Sequence, residues 1–218
     1  MTDYLASWPL LAAFLLASLV LAATPGPGVL YIVTRTLAQG RRAGLASVMG
    51  VAAGNLGNAI GASVGLAALF AVSSLAFTVV KFAGAAYLIW LGLKALRTPP
   101  TGTTPESGAI TAAPPAARIF RDGFLVALLN PKTALFFAAF LPQFMVPGAS
   151  PLIQSVGFGA AFVLIAACTD LAYVMAAGMA APAMARLQGG ASLGRWATAV
   201  VFIGLGVFTA ASGSRSAK

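Results

Sequence analysis

The sequence predicts an all-α integral membrane protein whose six transmembrane helices form two inverted three-helix repeats, with helices 1 and 4 broken at proline. Composition is the first observation behind this fold. Of the 218 residues, 60% are hydrophobic and only 8% are charged, against about 25% charged residues in a soluble domain. The mean hydropathy is +0.94. These values exclude a water-exposed globule, and also a disordered chain, which would be polar.

Six apolar segments are the second observation. A helix needs about 20 residues to cross a hydrocarbon core of about 30 Å, and most of the segments reach that length. They cover residues 9–33, 43–70, 76–96, 123–146, 152–181 and 195–213.

Short matches between the halves are the third observation. A stretch rich in Pro, Thr, Gly and Ala predicts a cytoplasmic linker loop at 98–118, between a first repeat at 1–97 and a second at 119–218. Leu91-Gly92 in the third helix matches Ile203-Gly204 in the sixth. Two copies of an odd number of spans have opposite orientations, a pattern typical of secondary transporters.

Basic residues predict the orientation. The even connectors carry none, whereas the odd connectors carry Arg35, Arg41, Arg42, Lys94, Arg97, Arg118, Arg121, Arg186 and Arg195. The positive-inside rule therefore puts the odd connectors in the cytoplasm and both termini on the outer side of the membrane.

Several functions are disfavoured by the residue types. The net charge of +9 is scattered between apolar runs, without the basic helix face that would bind nucleic acid. The chain has no histidine and a single cysteine, Cys168, so the commonest general base and metal ligand is missing. We therefore expect neither an enzyme nor a bound cofactor.

Two proline motifs predict helix starts inside spans. Thr24-Pro25-Gly26-Pro27 lies in helix 1 and Asn130-Pro131-Lys132 lies in helix 4. Thr and Asn are favoured N-caps and Pro is favoured at the first helical position. The free amides of such a start attract anions. Both breaks fall about 12 Å from the cytoplasmic edge, so they are expected to face one cavity. Simple proline kinks are the alternative.

Charged residues at membrane depth are costly and usually functional. Asp170 near the centre of helix 5 must pair, face water or bind a proton, which suits a proton-coupling carboxyl. A static Lys132–Asp170 ion pair is the alternative.

Helix 2 carries amides and glycines at membrane depth. Asn55 and Asn58 either bind a polar solute or hydrogen-bond a neighbouring helix. Gly57, Gly61 and Gly65 recur every four residues, which suits close packing, either within one chain or in a homodimer.

A series of motifs spans nearly the whole chain in a specific order. It comprises Thr24-Pro-Gly-Pro27, Gly40-Arg-Arg-Ala-Gly44, Lys81-Phe-Ala-Gly84-Ala-Ala-Tyr87-Leu, Leu91-Gly92, Phe124 through Asn130-Pro-Lys132, and Phe140-Leu-Pro142-Gln-Phe144. In this order the chain resembles the LysE/RhtB family of amino-acid exporters. The resemblance implies a six-helix inner-membrane protein that exports amino acids or close derivatives, driven by the proton gradient. It also implies functional weight on the two proline motifs, and Asp170 is similar to the family's acidic position in helix 5.

The expected function is therefore export of an amino-acid-like solute by proton antiport, with protons and the lipid bilayer as further partners and no nucleic acid. The alternatives are an ion or metal exporter on a similar fold and a non-transport membrane scaffold. Asp170 is the expected proton-coupling residue, and the expected substrate-binding residues are Thr24, Pro25, Gly26, Pro27, Asn55, Asn58, Asn130, Pro131 and Lys132.

Overall fold

The computed structural model describes residues 8–62, 74–97, 114–146, 149–185 and 190–211. Within these ranges the chain is all-helical and contains no strand. Its α-helices are α1 (Trp8–Ala23), α2 (Pro27–Gln39), α3 (Arg41–Gly61), α4 (Ser74–Arg97), α5 (Ala116–Leu128), α6 (Pro131–Ala139), α7 (Pro151–Ala185) and α8 (Gly190–Ala211), with a short 3-10 helix at Leu141–Phe144. Most of the expected linker (98–113), Gly65 and the tail after Ala211 lie outside the described residues.

The helices have the length and apolar character of a multi-pass membrane protein. Three segments, Arg41–Gly61, Thr78–Arg97 and Pro151–Ala183, are long and apolar enough to span a bilayer singly. Two pairs qualify when each is taken as one bent span: α1 with α2, bent by 46°, and α5 with α6 and the 3-10 helix, bent by 51°. The apolar part of α8, Trp196–Ala211, is shorter.

The first break lies two residues later than the sequence predicts. Gly26, in an extended conformation, is the N-cap of α2, and Pro27 stands in its first turn. Thr24 is therefore not the cap: its hydroxyl donates back to the Val20 carbonyl at the end of α1, at 2.6 Å. Since either proline of Pro25-Gly26-Pro27 can begin a helix, the local pattern does not distinguish the two starts.

The second break confirms the predicted start at Asn130-Pro131. Asn130 is the N-cap of α6, and its side chain accepts a hydrogen bond from the Lys132 amide at 3.1 Å. The helix before it begins at Ala116, seven residues earlier than the apolar segment. Arg118 and Arg121 lower the hydropathy of those first turns, which hides the amphipathic helix from a hydropathy pattern.

Glycines let α3 approach α5 closely in parallel orientation. A Cβ on Gly50 would collide with the Phe120 carbonyl, and one on Gly54 would lie 2.5 Å from the Phe124 carbonyl. A Cβ on Gly57 would lie 3.1 Å from Leu128 of the same chain. These glycines therefore pack within one chain.

Two further helix pairs cross in antiparallel orientation through reciprocal glycine contacts. In the α3–α7 pair, a Cβ on Gly44 would lie 3.1 Å from Val174, and one on Gly159 would lie 2.5 Å from Ala59. In each of these two contacts a glycine near the start of one helix meets a small or branched residue farther along its partner.

The α4–α8 pair repeats this reciprocity. A Cβ on Gly92 would lie 3.0 Å from the Ala199 carbonyl, and one on Gly206 would lie 2.8 Å from the Ala85 carbonyl. The glycine of α8 that packs against α4 is thus Gly206, and not Gly204 of the short sequence match, because a Cβ on Gly204 meets nothing within 4 Å.

This pair of glycines gives a stability test on one helix. We expect Gly206→Ala to lower the free energy of unfolding by about 1–3 kcal/mol, because the added methyl group overpacks the α4–α8 crossing. Gly204→Ala is the matched control and should be neutral or stabilising by up to about 1 kcal/mol. Thermal unfolding of the purified protein in detergent measures both variants, and equal effects would contradict the crossing.

Candidate functional site

The two breaks line one cavity. Its volume is about 40 Å³, which is room for about three waters. Its walls come from the end of α1, the start of α2, the middle of α3, the α5–α6 break and the middle of α7. The lining residues are Leu21, Ala22, Thr24, Gly26, Gly28, Val29, Val51, Asn55, Ala127, Asn130, Lys132, Thr133, Phe162, Ala166 and Asp170.

Three backbone oxygens at the end of α1, on Leu21, Ala23 and Thr24, are here called the carbonyl row, and Leu21 and Thr24 line the cavity. Pro25 and Pro27 have no N–H, so neither can bond the carbonyl four residues before it, on Leu21 and Ala23. Side chains from elsewhere donate instead. Lys132 Nζ lies 3.0 Å from the Leu21 oxygen and 2.7 Å from the Thr24 oxygen. The Tyr173 hydroxyl donates to the Ala23 oxygen at 3.0 Å.

The start of α2, on the other side of the break from the carbonyl row, offers amide donors instead of carbonyl acceptors. No described side chain caps this helix at Gly26, so the amides of Gly28 and Val29, which line the cavity, lack the partner that a capping side chain supplies. The start of α6 differs, because Asn130 caps it and also donates to Thr133 Oγ1 at 3.1 Å. Of the two helix starts, the one at α2 is therefore the more open to an anion.

Two buried polar side chains, Asp170 of α7 and Asn55 of α3, belong to the same cavity. Asp170 is 4% exposed and Asn55 is 6% exposed, and both line the cavity. Asp170 forms no ion pair or hydrogen bond with any residue in the described ranges. The alternative of a static Lys132–Asp170 pair is therefore not what the structure contains: Lys132 bonds the carbonyl row instead.

The expected site residues take different places around this cavity. Thr24, Gly26, Asn55, Asn130, Lys132 and Asp170 line it. Pro25, Pro27 and Pro131 do not line it but shape the breaks. Asn58 does not line it either: its amide donates to the Ala127 carbonyl at 2.9 Å, which ties α3 to the α5–α6 break.

A second polar cluster, here called the Asp122 cluster, was not predicted. Asp122 on α5 is fully buried. Its carboxylate lies 3.5 Å from Arg35 of α2, 3.9 Å from Lys94 of α4 and 3.2 Å from Arg121. Tyr87 of α4 donates its hydroxyl at 3.2 Å. The cluster thus ties α2, α4 and α5 together at their connector ends.

The sequence signal for Asp122 was available but weak. Asp122 is one of four acidic residues and directly follows Arg121. A count of the basic residues in the connectors includes Arg121 and passes over the neighbouring carboxylate. The other partners of Asp122, which are Arg35 of α2 and Lys94 and Tyr87 of α4, are distant in sequence, and only the fold brings them to it. An acidic residue at one end of an apolar segment, together with basic residues at the ends of other segments on the same side of the membrane, is the pattern that predicts such a cluster.

The chain is similar to known efflux proteins and matches one protein-family model. The family model described as LysE type translocator matches residues 19–213. A homoserine/homoserine lactone efflux protein of Salmonella typhimurium is 35% identical over 153 residues, which is 70% of this chain and 73% of that protein. A leucine efflux protein of Klebsiella pneumoniae is 32% identical over 132 residues, or 61% of each chain. No solved structure matches the chain.

The Asp122 cluster gives a second stability test. We expect Asp122→Asn to destabilise the protein by about 3 kcal/mol, because it removes the one carboxylate that three cations share. Arg121→Gln is the control: its side chain is 62% exposed, and an exposed pair contributes about 0–1 kcal/mol. Thermal unfolding in detergent compares them, and an Asp122→Asn variant as stable as Arg121→Gln would contradict the role of the cluster.

Proposed function

Because the chain belongs to the LysE type translocator family, we propose that it is a secondary transporter that exports amino acids or close derivatives. Its relatives named above are efflux proteins and not enzymes. The observation that carries the proposal is that the cavity at the α1–α2 break has hydrogen-bond acceptors on one side and hydrogen-bond donors on the other. Helix-end carbonyls lie on one side of the break and uncapped amides on the other.

This arrangement complements a zwitterion. The start of α2 offers amides and the positive end of a helix dipole to a carboxylate. The carbonyl row and Asp170 offer acceptors to an ammonium group. The cavity holds only about three waters, which is too small for an amino acid the size of leucine. Such a solute therefore enters only after the helices on either side of the breaks, α1, α2, α5 and α6, have moved apart.

The proposal includes six spans in two inverted three-span halves. Reciprocal contacts support it: Gly44 contacts Val174, and Ala59 contacts Gly159. A shift of about 115 residues relates Gly44 to Gly159 and Ala59 to Val174, so the two contacts are equivalent. The α4–α8 contacts at Gly92 and Gly206 give a shift of about 114. The same register pairs Asn55 with Asp170, which both line the cavity.

We assign proton coupling to Asp170. A buried carboxyl without a partner among the described residues is costly while charged, so binding of a proton or of a cationic group stabilises it. Uptake of a proton from the periplasmic side would favour release of the solute there. Loss of that proton to the cytoplasm would favour loading.

The proposed location is the inner membrane of a bacterium, with the odd connectors cytoplasmic and the termini periplasmic. The positions of Arg35, Lys94 and Arg121 at connector ends support this orientation. A metal exporter is the weaker candidate, because the described part of the chain holds no group of three or more His, Cys, Asp or Glu side chains.

Export is tested by feeding cells dipeptides that contain leucine or homoserine and following the amino acids that leave. We expect faster export with the protein present, and reconstituted vesicles should show counterflow of the same solute. Asp170→Asn should abolish proton-driven accumulation and retain counterflow, because it keeps the shape and removes the proton site. Cys168→Ser, two residues away and exposed, is the control.

Two outcomes separate the parts of this proposal. If no amino acid leaves faster and none shows counterflow, the exporter assignment is wrong. If Asp170→Asn still accumulates solute against a gradient at the wild-type rate, the exporter stands and the proton-coupling role of Asp170 is wrong.

The two asparagines of α3 give a further test. Asn55→Ala should raise KM about 5-fold, since it removes about one hydrogen bond to the solute, with little change in thermal stability. Asn58→Ala should lower stability by about 1 kcal/mol, because the bond to the Ala127 carbonyl is lost, and leave KM unchanged. Transport kinetics and thermal unfolding of both variants measure this, and the reverse result would exchange the two roles.

A further inference from the structure

We infer that the carbonyl row at the end of α1 is a binding subsite for a primary ammonium group, and that the Lys132 side chain occupies it as a tethered ligand. The α-ammonium of a transported solute then replaces Lys132 in this subsite. The identity of the solute rests on the proposed function, whereas the subsite itself does not.

The geometry of Lys132 defines the subsite. Its Nζ lies 3.0 and 2.7 Å from the Leu21 and Thr24 oxygens, which are the distances of charge-assisted hydrogen bonds. A Cβ on Gly26 would lie 3.6 Å from the same Nζ, so the ammonium lies directly over the break. A lysine ammonium and an α-ammonium are the same functional group, a primary ammonium on an sp3 carbon with three donors.

The chain sequence explains why this place favours a cation. Pro25 and Pro27 withhold the N–H groups that would bond Leu21 and Ala23, and the end of a helix carries partial negative charge. Unbonded carbonyls in an apolar setting are costly. The subsite is therefore filled by Lys132 until another ammonium takes its place.

A second observation points to a further cation in the same cavity. Asp170 is 4% exposed, lines the cavity and has no hydrogen-bond or ion-pair partner in the described ranges. The cavity walls thus contain a carboxyl and two helix-end carbonyls, but Lys132 is the only ammonium among the described lining residues. An incoming ammonium has acceptors available, and the displaced Lys132 becomes free to pair with a carboxylate.

The solutes that name the relatives share this group. Homoserine and leucine, from the names of two relatives, are zwitterions. In homoserine lactone the carboxyl is esterified and the ammonium remains. A subsite that holds the ammonium accepts all three, whereas one that needed a carboxylate would exclude the lactone.

The test is chemical rescue of stability in the full-length purified protein. Lys132→Ala removes the atoms of an n-propylammonium ion, so that ion is the probe. We expect the variant to unfold at a lower temperature than wild type. We expect n-propylammonium chloride at about five times its Kd to raise the unfolding temperature of the variant by about 2–4 °C. Sodium chloride at equal ionic strength is the salt control.

Two controls identify the group that is recognised. In wild type and in Tyr173→Phe the subsite still holds Lys132, so n-propylammonium should shift unfolding by less than about 1 °C. n-Butanol, uncharged and of similar size, should not stabilise Lys132→Ala. If Lys132→Ala does not accumulate, Lys132→Met keeps the stem and removes only the ammonium nitrogen, and the ammonium ion is then the probe.

The possible results distinguish failure of the subsite from failure of the exporter assignment. Equal stabilisation by n-butanol, an equal shift in wild type, or no shift with the ammonium probe overturns the inference. If amino-acid export is found and rescue fails, the subsite is wrong and the exporter stands. If rescue succeeds and no amino acid is moved, the subsite stands without the exporter.

Discussion

Two missing N–H groups determine the polar architecture of this protein. Pro25 and Pro27 cannot complete the hydrogen-bond pattern of the helix that precedes them, and in an apolar protein the freed carbonyls need other donors. Lys132 of α6 and Tyr173 of α7 provide them. Because proline lacks an N–H, the end of α1 is hydrogen-bonded to α6 and α7, which are distant from it in sequence. The result is a polar cavity among apolar helices.

The rest of the helix packing holds this cavity in place. Small residues bring α3 against both α5 and α7, so that the cavity wall at Asn55 lies beside both breaks. The Asp122 cluster clamps the other ends of the same half-helices. Arg35 lies on α2, which begins at the cavity, and Asp122 lies on α5, which ends at Leu128, just before the second break. Separation of α2 from α5 at the cavity must therefore either strain or break the Arg35–Asp122 contact.

The sequence predicts features set by neighbouring residues and misses those set by the fold. The start at Asn130-Pro131 was predictable because a capping side chain and a helix-starting proline are adjacent. The start at Gly26-Pro27 was misplaced because two prolines compete, and bonds from α6 and α7 to the end of α1 accompany the later start. The Asp122 cluster was missed because two of its three cations, Arg35 and Lys94, lie on other segments. The short match between Gly92 and Gly204 does not fix a register, because it is Gly206 and not Gly204 that packs against α4.

The helix starts at the two breaks are capped differently, and this difference sets how much charge a transport cycle through the cavity would move. Asn130 closes the start of α6 with its own side chain, whereas Gly26 leaves α2 open. Among the described residues the cavity then has one open helix start and one carboxyl, that of Asp170. In the proposed function the first binds the carboxylate of the solute and the second binds a proton. A cycle that moves one zwitterion outward and one proton inward transfers one net positive charge. Such a cycle is electrogenic, so the membrane voltage would contribute about 2.3 kcal/mol at about 100 mV, even when both sides have the same pH.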